Sequence, residues 1–61
     1  MIGEKDLKDM LEKEMELYKA HKLRAMKALK EDNSFDWQYE MHRLDYHGAR
    51  IGLLRELLKI D

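Results

Sequence analysis

From Glu4 to Glu31 the chain runs without a glycine or a proline, and Leu, Met, Ala, Glu and Lys dominate the stretch. These are the strongest helix formers, and nothing in the run interrupts the backbone hydrogen-bond ladder. The stretch predicts one long helix over 4–31. At about 100° per residue, Leu7, Met10, Leu11, Met15, Leu17, Tyr18, Ala25, Met26, Ala28 and Leu29 fall on one broad side, and Asp9, Lys13, Glu16, Lys27 and Glu31 fall on much of the other. Opposite charges four apart (Glu4 and Lys8, Lys5 and Asp9, Asp9 and Lys13, Lys27 and Glu31) add a few tenths of a kcal/mol each at best.

The pattern breaks at Glu31-Asp32-Asn33-Ser34-Phe35-Asp36, where short polar side chains compete for local backbone hydrogen bonds. A turn is expected over 32–35. Asn33 has two available roles, ending the first helix in a left-handed conformation or capping the second with Asp36 at N3, and Ser34 and Asp36 are rival caps. A second helix is expected over 36–60, with Tyr39, Tyr46, Ile51, Leu53, Leu54, Leu57 and Leu58 on one side and Trp37, Met41, Leu44, Gly48 and Gly52 along an adjacent flank. The short connection predicts a single all-α domain over 1–61, an antiparallel two-helix hairpin. Two helices share only one seam, so each leaves apolar surface wet. Dimerisation into a four-helix bundle is the expected remedy, a two-fold dimer being the commonest closed assembly. The Gly48 and Gly52 spacing is a weak signal for close backbone approach in so charged a helix.

Composition narrows the function classes. The 61 residues are 44% apolar and 41% charged, with 12 Lys plus Arg against 13 Asp plus Glu and a formal net charge of −1. That balance argues against a protein whose main task is neutralising nucleic-acid phosphates. The absence of cysteine removes disulfides, zinc-thiolate sites and thiol nucleophiles. The first residues turn charged at once and give no signal-peptide pattern. Ile2 after Met1 precludes N-myristoylation, and no apolar run approaches the roughly 20 residues that cross a bilayer. The expected location is the cytoplasm, with no membrane partner.

The informative anomaly is polar. Glu14 and His21 lie inside the apolar arc of the first helix, and Glu40, Arg43, His47 and Arg50 inside that of the second. With the turn centred near Asn33 and Ser34, Glu14 is expected near Arg50 and Leu53, His21 near Tyr46 and His47, and Glu40 and Arg43 towards Lys27 and Arg24, each to within about one helical turn. For Glu14 and Arg50 this predicts a partly buried charge pair that selects the register, because slipping the helices strands a charge. His21 and His47 are expected as hydrogen-bonded core or boundary residues beside Tyr18 and Tyr46, and their titration would make assembly sensitive to pH.

Sharper chemistry finds less support. Glu14, His21, Glu40 and His47 suit zinc, iron or manganese, yet Glu14 and His21 stand about 10 Å apart along the axis, and the Glu-x-x-His spacing of bundle di-metal sites is absent. There is no phosphate loop, no nucleophile with a visible base and no His-Glu-x-x-His segment. No catalytic residue and no cofactor is expected. Arg43, Arg50, Arg55, His42 and His47 make the second helix locally basic, but Glu40, Asp45 and Glu56 interrupt it, so nucleic acid is an unfavoured partner. Phe35, Trp37 and Tyr39 form an aromatic end beside the turn, either capping the core or anchoring a partner. The sequence thus predicts a non-catalytic protein–protein interaction or regulatory module that self-associates. A small nucleic-acid-associated regulator is the alternative, and a metal-carboxylate bundle comes third.

Overall fold

A computed structural model describes residues 3–59. It contains two helices, α1 (Glu4–Lys30) and α2 (Ser34–Leu58), lying antiparallel against each other as a hairpin. At about 1.5 Å per residue, the 27 residues of α1 span about 40 Å, which accounts for the 44 Å long axis of a 44 × 20 × 14 Å molecule. α2 ends at Leu58, where Lys59 turns left-handed with φ of 59° and caps it, short of the expected end at Ile60, which itself lies outside the described residues.

The helix termini follow from local chemistry. Glu4 and Asp6 sit in the first turn of α1, and Lys27 and Lys30 in its last, so both ends complement the helix dipole. The end of α1 is a Schellman motif: the Asn33 N–H donates to the Ala28 carbonyl at 2.8 Å, and the Asp32 N–H to that of Leu29 at 3.2 Å. Such a motif needs a left-handed residue just past the cap. Here it is Asp32, with φ of 56°, rather than glycine or the Asn33 considered from sequence. Asn33 takes its other role and caps α2. Its side-chain oxygen accepts from the Asp36 N–H at 3.1 Å, and its amide donates to the Asp36 carboxylate at 2.7 Å. Because Asn33 caps, α2 begins at Ser34, two residues before the position expected, and the connection shrinks to Glu31, Asp32 and Asn33.

The seam is narrow. Leu11, Ala25, Ala28, Leu44 and Leu54 are its buried apolar residues, and two of the five are alanine. Beside them Glu14, His21, Glu40 and His47 are buried to a similar degree, so charge and imidazole occupy nearly half of the interior positions. Larger apolar side chains lie outside it: Leu23, Met26, Leu29, Tyr39, Leu53 and Leu57 are each more than half exposed, and Phe35 is 81% exposed. Of the four expected pairs along α1, Glu4 with Lys8 forms a contact, at 3.6 Å. Among the described residues no helix is long and apolar enough to cross a membrane.

Candidate functional site

Seven residues separate Glu14 from His21 on α1 and Glu40 from His47 on α2, so on each helix the two side chains return to one face after two turns. The antiparallel packing then sets the glutamate of each helix opposite the histidine of the other. His47 Nδ1 lies 2.5 Å from Glu14 Oε2, and His21 Nδ1 lies 2.5 Å from Glu40 Oε2. Between these pairs the two imidazoles stack, with centroids 5.3 Å apart and planes 15° from parallel. Tyr46 also stacks on His47, with centroids 5.1 Å apart.

Arg50 completes the first pair. Its Nε donates to Glu14 Oε1 at 2.7 Å, and its Nη1 donates to the Tyr46 hydroxyl at 3.3 Å, with the guanidinium 5.6 Å from the Tyr46 ring. Burial is the largest single influence on Glu14 and opposes its ionisation. Hydrogen bonds from His47 and Arg50 and the Arg50 charge together outweigh it and hold the carboxyl below its ordinary value of 4.5. The hydrogen bond to Glu14 raises Arg50 in turn. An ionised Glu14 accepts from both neighbours, which places a hydrogen on His47 Nδ1. His47 Nε2 and Arg43 Nε are buried and without a partner among the described residues.

The sequence contains a signal for this symmetry that charge and periodicity did not bring out. Glu14-Met15, His21 and Arg24 recur 26 residues later as Glu40-Met41, His47 and Arg50, the same Glu-Met-x5-His-x2-Arg pattern in each helix. The pattern specifies orientation and register together. A parallel pair of such helices sets glutamate against glutamate. Sliding α2 by one heptad sets either the two histidines or the two glutamates opposite each other and strands the remaining polar groups among leucine and alanine. Only the antiparallel register pairs both glutamates with both histidines.

The repeat also exposes Arg24, which the candidate residues omitted. By analogy with Arg50 it belongs over Glu40, but no ion pair joins the two among the described residues. Arg24 instead borders a polar hollow beside the turn with Lys27, Glu31, Asp36 and Glu40. The difference has a local cause. Tyr46 holds the Arg50 guanidinium by ring face and hydroxyl, whereas the equivalent position on α1 is Ala20, which offers neither.

Among the residues singled out from sequence, Glu14, His21, Glu40 and His47 meet in one layer, with Arg50 at its edge and Tyr46 covering it. The expected proximities of Glu14 to Arg50 and of His21 to His47 are found. Glu40 takes His21 as its partner in place of a cation near the turn. Arg43 is half-buried, with its guanidinium over the Tyr46 ring, 5.3 Å from the centroid. Tyr18 lies along the seam against Gly48, where a Cβ would meet its ring at 3.6 Å, and Gly52 faces open space, so neither glycine mediates close backbone approach within the hairpin. Trp37 covers the end of the seam while Tyr39 and Phe35 point into solvent, so the aromatic end does not act as one cap. No three His, Cys, Asp or Glu side chains among the described residues converge as metal ligands. Comparison with protein-family models, curated proteins and solved structures found no match.

Proposed function

We propose that this chain is a non-catalytic, cytoplasmic interaction module that works as a homodimer of hairpins, the two copies packing face to face as a four-helix bundle. One observation carries the reading. Along one side of the seam Tyr18, Met26, Leu29, Trp37, Met41 and Leu44 line a continuous apolar groove, and among the described residues Lys22 is the only charged side chain bordering it. Each of these helices leaves that flank open to water, an arrangement a monomer of this size gains nothing from.

Area and charge support a second copy as the occupant. The broad face of the molecule, 44 by 20 Å, sets an upper limit on the order of 900 Å² for one copy's share of a face-to-face interface, enough to reach the roughly 800 Å² that each partner contributes to a standard one. A nearly uncharged groove meets its own copy without like-charge repulsion, except at Lys22. Polar residues within each hairpin fix helix register, and the apolar groove supplies the association.

Sedimentation equilibrium and native mass spectrometry test this. The expected result is a dimer that dissociates on dilution, and a Met41→Glu chain that keeps its helicity and dimerises more weakly than the parent protein. A single-chain mass at every concentration up to about 1 mM, where association is worth under about 4 kcal/mol, overturns the reading.

A further inference from the structure

Both helices carry the same recognition pattern, and that pattern is self-complementary. Glu-x6-His on one helix is satisfied by Glu-x6-His on any antiparallel neighbour, as Glu14 with His47 and His21 with Glu40 show within the hairpin. The α2 of a second copy therefore offers α1 the same surface as the α2 of its own chain. Only the connection of Glu31, Asp32 and Asn33 makes the pairing intramolecular.

That connection ends α1 and caps α2 by hydrogen bonds local to its own residues, but it also carries strain. It holds Asp32 in the left-handed region, with φ of 56°, where a side chain adds strain that glycine would avoid. It contains no proline, so no ring holds the Asp32 backbone in the closed conformation when the hinge opens. Short, strained hinges of this kind favour exchange of identical elements between copies. Apolar side chains next to the hinge, Phe35 at 81% exposure and Leu29 at 67%, make no use of the closed arrangement.

We propose that two copies exchange helices, α1 of one chain packing on α2 of the other, so that Glu14–His47 and His21–Glu40 form between chains. The occupant of the seam is a second copy because the seam residues are the ones each copy already presents. The proposal rests on the self-association reading above but uses the seam, not the apolar groove. Loop closure favours the hairpin at low concentration, so the exchanged dimer accumulates as concentration rises and forms slowly, since the seam must open first.

Trans-complementation provides the test. A His47→Glu chain sets two glutamates opposite each other, and a Glu14→His chain sets two histidines opposite each other; each is expected to melt below the parent protein. In a 1:1 annealed mixture, helix exchange sets the histidine introduced by Glu14→His opposite the glutamate introduced by His47→Glu, and leaves the parental pair of Glu14 and His47 on the other seam. The mixture is expected to recover the thermal midpoint of the single chain carrying both substitutions, and to show the heterodimer mass. Isotope-filtered NMR on a mixed labelled and unlabelled sample of the parent protein gives a second readout, with α1–α2 contacts expected between chains and reduced in Asp32→Gly. A mixture that melts as its two components, or seam contacts found only within chains at dimer-forming concentration, overturns helix exchange. Dimerisation that persists under those results leaves face-to-face packing standing. Because exchange uses the seam, Met41→Glu is expected to keep α1–α2 contacts between chains at high concentration, and their loss in that variant overturns exchange through the seam.

Discussion

Glu14 is the residue on which most of the layer converges, receiving His47 and Arg50 at once, and it shows how much a position depends on its neighbours. Its carboxyl is held below 4.5, so the folded chain binds this proton more weakly than the unfolded chain does. The stability it contributes is complete above the ordinary carboxylate value and is lost as pH falls through the lower, folded value. Urea denaturation of the parent protein from about pH 6 down to pH 3 should therefore show a falling midpoint, and Glu14→Gln should flatten that fall while lowering stability at neutral pH. Arg24 and Arg50 give a second test. A double-mutant cycle is expected to show coupling between Glu14 and Arg50 and none between Glu40 and Arg24, because Tyr46 positions one guanidinium and Ala20 leaves the other free. Ala20→Tyr should create the missing coupling; a cycle that stays flat in that background would show that more than the tyrosine distinguishes the two halves.

At the scale of the element, the hairpin depends on three residues between helices. Asn33 satisfies the first turn of α2 through Asp36, and Asn33→Ala should cost about 1 kcal/mol in chemical denaturation, the usual worth of an N-cap. Asp32→Gly works in the opposite direction. The left-handed conformation costs a residue with a side chain about 1 kcal/mol or more, and part of that is regained by glycine even after the extra flexibility of the unfolded chain. A higher midpoint for Asp32→Gly together with a lower one for Asn33→Ala is the expected pair of results. Within α2, Gly52 meets nothing within 4 Å, so Gly52→Ala should stabilise the hairpin by about 0.5–1 kcal/mol through helix propensity alone.

For the whole molecule, the decisive quantity is how little apolar surface one chain hides. Five buried apolar residues, two of them alanine, form the core of the described chain, while the larger leucines, methionines and aromatics lie on its flanks. Association should therefore be part of its stability. The thermal midpoint is expected to rise with protein concentration in the parent protein and to rise less steeply in Met41→Glu, since a partner that binds only the folded state stabilises it by mass action. A midpoint independent of concentration in both would detach folding from assembly.

The two helices were legible in the sequence because helix formation is local. A run without glycine or proline, complementary end charges and a cluster of Asp, Asn and Ser act within a few residues of themselves. Glu14, His21, Glu40 and His47 were legible as polar residues on apolar arcs, and the proximity of Glu14 to Arg50 followed from the turn. The pairing itself was decided by the tertiary structure. Which of several facing groups meet depends on a register that counting from the turn gives only to about one helical turn, a shift large enough to put an imidazole in place of a cation opposite Glu40. The role of Arg24 likewise turned on whether a neighbour such as Tyr46 holds the side chain in place. Helix content is a sum of short-range preferences along the chain, whereas hydrogen-bond partners require two distant segments to agree in height and rotation, and only packing fixes both.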